Sequence, residues 1–236
     1  MPGRHHRGVD RTVAILEAVA RAPRGLTLTD LARTLDAPVS SVQQLANGLV
    51  AVGYLTMANR RYELGPGPFA LTMGHDWSSV APMSHQLIEE LARELGCAIV
   101  VGVLVGDNLM YFDEAGNDPA IEYYAKTRSR RPILRSSGGK RLLAGLPDDE
   151  LQRRLRELSE THPTAEIDAF LQQLPDIRRT GLAFGDALPG ILAVAAGVPG
   201  RDGRLAAALV AAGESAAMAE RLEDVGAVLL DRVKNL

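Results

Sequence analysis

The sequence holds one cysteine, Cys97, in 236 residues. A single thiol excludes a disulfide framework and any metal centre built on paired cysteines. Cys97 stands in the apolar run "GCAIVVGVLV" and reads as a buried thiol. Aromatic residues make up only 4%, so the cores must be filled by Leu, Val and Ala. No apolar run approaches the roughly 18–20 residues of a membrane-spanning helix. The polar start "MPGRHHRGVDRT" lacks the apolar centre of a signal peptide. The expectation is a soluble, cytoplasmic protein without membrane contact. The five histidines (His5, His6, His75, His85, His162) have no metal-ligand spacing, and no Gly-x-Ser-x-Gly nucleophile turn occurs. Glu89 and Glu90 read as solvated helix positions; Asp113 and Glu114 end a strand without an assignable partner. Neither a metal nor a cofactor is expected, and no catalytic group is assigned.

Hydrophobic residues make up 46% of the chain, enough for sizeable cores and against global disorder. The net charge of −3 hides an asymmetry. Residues 1–64 carry eight arginines against five acids, a balance of +3, and the remainder carries −6. A small basic segment on a larger acidic body fits a nucleic-acid-binding head.

Periodicity places the elements. Val9, Val13, Leu16, Val19 and Ala20 line one face of a first helix. Thr27 with Asp30 resembles a capping box opening a second helix, "LTDLARTL". After the turn "DAP", Ser40 with Gln43 suggests another capping box for a third helix with Val42, Leu45, Ala46, Leu49 and Val50 inward. Gly53 stops it, and "YLTM" and "RYEL" flank "ANR" as a short hairpin. Helix, helix, turn, helix, hairpin is the order of a winged helix-turn-helix over residues 1–66. A Gly/Pro-punctuated linker, 67–79, follows with a short helix in it.

Residues 80–236 change character. A helix over 80–95 precedes the strand "CAIVVGVLV", its hairpin partner "LMYFDE" and a third strand "AIEYYAK". Three helices follow, opened by "SGGKRLLAGL", "DDELQRRLREL" and "EIDAFLQQLPDIRRTG", the last disturbed at Pro175. Then come the strands "LAFGD", "ILAVAAGVP" and "RLAAALVAAG" and a final helix from Ser215 to Asn235. Hairpin-linked strands with clustered helices give an α+β class with an antiparallel sensor-like sheet.

Five segments together resemble the IclR family of bacterial transcription regulators. They are "LTLTDLARTLDAPVSSVQQLANGLVAVGYL", "YELG", "PILRSSGGKRLLAGL", "IRRTGLAFGD" and "AVAAGVPGRDGRLAAAL". The resemblance runs from about Thr12 to Gly213. It implies an N-terminal winged helix, a linker helix and a GAF-like C-terminal domain that binds a small effector. It also implies a homodimer or homotetramer on a palindromic operator in double-stranded DNA. Two departures stand out. Gln44 replaces an arginine common in the middle of the family's recognition helix. Gly185 and Ala193 replace an acid and a cysteine common after the "GLAFGD"-like segment, while Asp186 remains. The apolar run around Ala193 puts an aromatic or otherwise apolar effector beside the organic acids.

From Thr34 to Asn59 there is neither Lys nor Arg, so the third helix cannot hold a polyanion by charge. Phosphate contacts and base contacts can sit on different residues. Ser40, Ser41, Gln43, Gln44 and Asn47 form the outward face, and Gln and Asn can pair bidentately with adenine. Arg11, Arg33, Arg60 and Arg61 lie around the helix and can supply the charge. The competing reading is a GAF-like small-molecule binder whose winged helix serves only for dimerisation. Tyr54 and Tyr62 read as packing under the wing.

From Lys126 to Arg141 the chain holds seven basic residues and no acid. This is either an electropositive approach to an anion or a solvated loop balancing an acidic domain. Within it "SSGGK" opens a helix whose first N–H groups suit a carboxylate or phosphate. The family places part of its effector pocket here. Ser136, Ser137 and Gly138, with Asp186 and Ala193, are therefore the candidate effector residues. As a nucleotide loop the segment fails, because Leu134 and Arg141 stand where a glycine and a hydroxyl are needed.

Overall fold

The computed structural model describes residues 6–73, 83–116, 121 and 130–236. They fall into two compact units, Met1–Asp76 and Trp77–Leu236.

The first unit runs α1 (Arg7–Ala20), β1 (Leu26–Thr27), α2 (Leu28–Thr34), α3 (Val39–Ala51), β2 (Leu55–Ala58), β3 (Arg61–Leu64) and α4 (Pro66–Met73). Its three strands form an antiparallel sheet in the order β1-β3-β2. Ile15, Leu31, Val42, Ala46, Leu49 and Leu55 form the core, with Tyr62 buried among them. The Thr27 capping box is complete. Thr27 Oγ1 accepts the Asp30 N–H at 3.2 Å, and an Asp30 carboxylate oxygen accepts the Thr27 N–H at 3.2 Å. The Thr27 hydroxyl also holds the Asp30 carboxyl below the usual carboxylate range.

The capping box expected at Ser40 does not form. Pro38 is the N-cap of α3, without a side-chain cap, and the helix begins at Val39. The pyrrolidine ring presets a φ close to the helical value, and Asp36 in the left-handed region (φ 45) turns the chain immediately before it. The helix therefore starts ahead of the serine, which becomes a helical surface position.

The second unit runs α5 (His85–Leu95), β4 (Ala98–Val105), β5 (Asn108–Ala115), β6 (Arg130–Pro132), α6 (Ser137–Ala144), α7 (Asp148–Leu158), α8 (Thr164–Thr180), β7 (Leu182–Leu188), β8 (Ile191–Pro199), β9 (Leu205–Glu214), α9 (Ser215–Met218) and α10 (Leu222–Lys234). Six strands form one antiparallel sheet in the order β6-β5-β4-β9-β8-β7. Side chains alternate across it. Ile99, Val101, Leu209 and Ala211 meet Ile88 and Leu91 of α5 and Val225 and Leu229 of α10. Ala98, Val100, Ala193, Ala195, Ala208, Val210 and Ala212 make the other face, against Leu142 of α6. A third cluster joins α6, α7 and α8 through Leu143, Leu151, Leu155, Phe170 and Ile177. The α+β class and the antiparallel sheet stand as expected.

Three expectations change. The strand placed at "AIEYYAK" lies outside the described residues except for Ile121, which is helical and buried; the strand beside β5 is Arg130–Pro132. Pro175 does not interrupt α8, which runs through it to a left-handed Gly181. The final helix is two, because Ala219 to Arg221 break it between α9 and α10.

Asp113 gains a partner that its sequence position concealed. His85, in the first turn of α5, approaches Asp113 at 2.8 Å and Glu89 at 3.5 Å. A cation in the first helical turn opposes the helix dipole, and the carboxylates outweigh it. The hydrogen bond to Asp113 raises the His85 pKa above its ordinary 6.5. The stabilisation from this pair is full below the unfolded-state value and is lost as pH rises through the raised folded value. In a proton-resonance titration, His85 is expected to titrate above an ordinary histidine in the wild type. In Asp113→Asn it should fall back toward 6.5. A wild-type midpoint at or below that value would dismiss the pair.

Candidate functional site

The α3 surface is built by its own periodicity. Val42, Ala46 and Leu49 are buried, which turns Ser40, Gln43, Gln44 and Asn47 outward, all exposed. Ser41 is half-buried and accepts a hydrogen bond from Arg11 Nη1 at 3.1 Å, so α1 braces the start of α3. The buried Tyr62 hydroxyl donates to Asn47 Oδ1 at 3.4 Å, a long contact from beneath the helix. Val39, 47% exposed, is the first residue of α3. Residues at the start of a recognition helix are the ones that reach base edges, and an apolar side chain there can meet a thymine methyl. The sequence reading passed over Val39 because it sits next to the proline turn.

The surrounding arginines differ in their engagement. Arg33 is open to solvent and 3.5 Å from Asp30. Arg61 Nη1 donates to the Gly25 carbonyl at 3.0 Å and ties β3 to the turn before β1. Arg60 is exposed at the hairpin tip. Asn59 and Arg60 both have left-handed backbones, φ 51 and 60, as a tight two-residue hairpin turn requires. The hairpin thus carries one arginine committed to the fold and one at its tip facing water.

In the second unit a cavity of about 620 Å³ opens beside β7 and the start of α6. Arg131, Arg135, Lys140, Gln173, Asp186 and Phe184 are among its walls. Lys140 is 7% exposed. Its ammonium donates to Gln173 Oε1 at 2.9 Å and to the Phe184 carbonyl at 2.8 Å. Burial pushes the lysine pKa down, and Asp186 partly opposes the shift. Gly185 leaves room for that ammonium, since a Cβ there would lie 3.0 Å from it. Arg135 is bound to Glu166 at 2.6 Å.

Of the candidate effector residues, only Asp186 reaches this cavity. Ser136 caps α6: its Oγ accepts the Gly139 N–H at 3.2 Å and donates to the Ile133 carbonyl at 3.3 Å. Ser137 is buried. Gly138 presses α6 onto the sheet, and a Cβ there would meet Leu109 at 2.8 Å and Val210 at 3.1 Å. Ala193 is fully buried in the alanine-rich sheet face. These four positions serve the docking of α6 and do not line the cavity. Of the basic run from Lys126 to Arg141, residues 126–129 lie outside the described residues, Arg130–Pro132 form β6, and Arg141 in α6 donates from Nε to the Gly181 carbonyl at 2.7 Å. Lys140 and Gln173 were missed because their meeting depends on α8 returning beside α6. Among the described residues no cluster of His, Cys, Asp or Glu could hold a metal, and no helix is long and apolar enough to cross a membrane.

Two family models together cover most of the chain. Residues 8–57 match the IclR helix-turn-helix domain, and residues 76–235 match the bacterial transcriptional regulator IclR C-terminal domain. The chain belongs to the IclR family. An IclR-family relative, the HTH-type transcriptional regulator BhcR of Paracoccus denitrificans, is 27% identical over 240 residues, spanning 98% of this chain and 86% of that protein. TtgV of Pseudomonas putida, another HTH-type transcriptional regulator, is 28% identical over 180 residues, 74% of this chain and 69% of that one. The IclR-family regulator from Brucella abortus shares the fold at a TM-score of 0.71 and 21% identity, covering 98% of this chain and 92% of that one. An IclR homolog from Microbacterium hydrocarbonoxydans complexed with 4-hydroxybenzoate also reaches 0.71, at 18% identity over 97% of this chain and 100% of that one. The chain is a DNA-binding transcriptional regulator of the IclR family, a family of regulators and not of enzymes.

Proposed function

We propose that the chain binds a palindromic operator as a homo-oligomer, reading bases with α3 and holding phosphates with the arginines around it. The observation that carries this reading is the uncharged outward face of α3, with Gln43, Gln44 and Asn47 exposed beside the arginine-tipped hairpin. Arg11, Arg33 and Arg60 are the phosphate ligands, with Arg61 fixing the hairpin between them. Ser40, Ser41 and Val39 add contacts at the start of the helix. Phe69 and Leu71 of α4, 67% and 64% exposed, support assembly with a second copy.

The effector enters the cavity beside Lys140. Three cationic side chains against Asp186, with Leu134, Phe184 and Leu188 between them, suit a small carboxylate with an aromatic or apolar body. The ligand shifts the population between arrangements of the two winged helices and so changes half-site spacing.

The test is selection from a randomised duplex library followed by a salt series. A palindrome should be enriched, and Gln44→Ala should relax the preference at one position per half-site, costing roughly 1–3 kcal/mol there. Benzoates added to the complex should shift its affinity, and short polar acids should do so less. If no sequence is enriched at low salt, the winged helix is an assembly module and the reading fails.

A further inference from the structure

A second cavity, of about 820 Å³, adjoins the one beside Lys140. It opens between α8, β7 and the start of α10, and Ile177, Leu182, Phe184, Leu192 and Leu222 are its apolar walls. Its volume is in the range that holds a small ligand. Its charges offer nothing to an anion. Arg179 is paired with Asp176 on its own helix at 2.9 Å, and Glu223, in the first turn of α10, adds a carboxylate to the wall. The cavity beside Lys140 has the opposite character, with three cationic side chains in its wall. One cavity thus suits a carboxylate and the other an apolar group.

The two share three wall residues, Gln173, Phe184 and Gly185. The same three surround the Lys140 ammonium. It donates to Gln173 Oε1 and to the Phe184 carbonyl, and Gly185 leaves the room it occupies. Both acceptors are neutral oxygens, so neither cancels the charge of the lysine. Gln173 is exposed on α8, and its side chain can swing clear without disturbing the core. We propose that the two cavities take one ligand, an aryl-alkanoic acid. Lys140 holds its carboxylate, and its ring lies in the second cavity against Phe184 and Leu222. Gln173, at the shared wall, determines specificity by setting the length of chain that joins the two ends. A ring bonded directly to its carboxylate leaves one end in the wrong surroundings, whereas a few methylenes let each end reach the walls that match it. This inference rests on the carboxylate placed at Lys140 under the proposed function.

The experiment is calorimetric titration of the full chain with benzoate, phenylacetate, phenylpropanoate and phenylbutanoate. Affinity should rise roughly two- to fourfold with each added methylene. Lys140→Met should weaken all of these acids. Leu222→Glu puts a charge into the second cavity and should flatten the series onto the benzoate value. Gln173→Ala, at an exposed helix position, widens the passage and should steepen the series. A wild type that binds all the acids equally well, and loses them in Lys140→Met, would overturn the proposal and leave the first cavity as the whole site. So would a slope that survives Leu222→Glu. If Leu222→Glu melts too low to titrate, Gln173→Ala decides, and an unchanged slope there would overturn the proposal. A wild type that binds none of the acids would fail the cavity reading itself and this inference with it, a result distinct from binding without length dependence.

Discussion

An Arg60→Gly protein is expected to melt higher than wild type and to bind DNA roughly tenfold more weakly at low salt. The two effects share one cause. Arg60 occupies a left-handed backbone, φ 60, at the tip of the β2–β3 hairpin. A residue with a Cβ is held there at a cost of about 1–2 kcal/mol, and glycine would be relieved of it. Asn59 before it, φ 51, suits the turn, because Asn tolerates this region. Arg60 is the position where the turn's preference is overridden. Its side chain is exposed, so core packing is not the reason. The proposed phosphate contact would supply one. Each lost phosphate contact lowers the slope of log affinity against log salt by about 0.9, and the proposed homo-oligomer would lose one per winged helix engaged. The deficit should therefore shrink as salt rises. Arg60→Lys keeps both the charge and the strained backbone and should keep most of the slope. Fluorescence anisotropy across a salt series reads all three proteins. An Arg60→Gly protein with the wild-type slope would take the hairpin tip off the DNA.

Much of this architecture was legible because local rules carried it. Thr27 and Asp30 lie three residues apart, and the capping box they form needs nothing beyond their own turn. The same signal at Ser40 and Gln43 misled, because Pro38 fixes the backbone one step earlier and starts the helix first. The final helix reads as continuous in its hydrophobic spacing, yet Ala219 to Arg221 break it, and Arg221 donates to the Leu95 carbonyl at 2.7 Å from the far end of α5. That contact spans more than a hundred residues and leaves no trace in a local pattern. The cavity is the same case on a larger scale. "SSGGK" drew attention to its serines and glycines, which are the groups that dock α6. The lysine that follows them reaches the cavity, and it does so only because Gln173 and Phe184 arrive from α8 and β7. Residues that satisfy their own helix were visible, whereas residues that satisfy one another across the fold were not.

Gly139→Ala is expected to destabilise the second unit by about 3 kcal/mol or more. An added Cβ would overlap the Ile133 carbonyl oxygen and stand 2.6 Å from Ser136 Oγ and 2.8 Å from Ile133 Cα. None of these can retreat cheaply. Ile133 is fully buried, and Ser136 Oγ is held by the Gly139 N–H that it caps. Moving α6 outward instead would lift Gly138 from Leu109 and Val210 and carry Lys140 away from Gln173 and Phe184. The melting temperature should fall by roughly 6–12 °C, and hydrogen exchange over residues 130–145 should accelerate first. A protein melting within about 1 °C of wild type would mean that α6 has slack the packing does not reveal. The same methyl group is expected to stabilise the protein at Gly48 and to damage it at Gly139. What differs is the neighbour: at Gly139 the chain's own backbone fills the space, whereas at Gly48 no atom of the chain lies within 4 Å of an added Cβ.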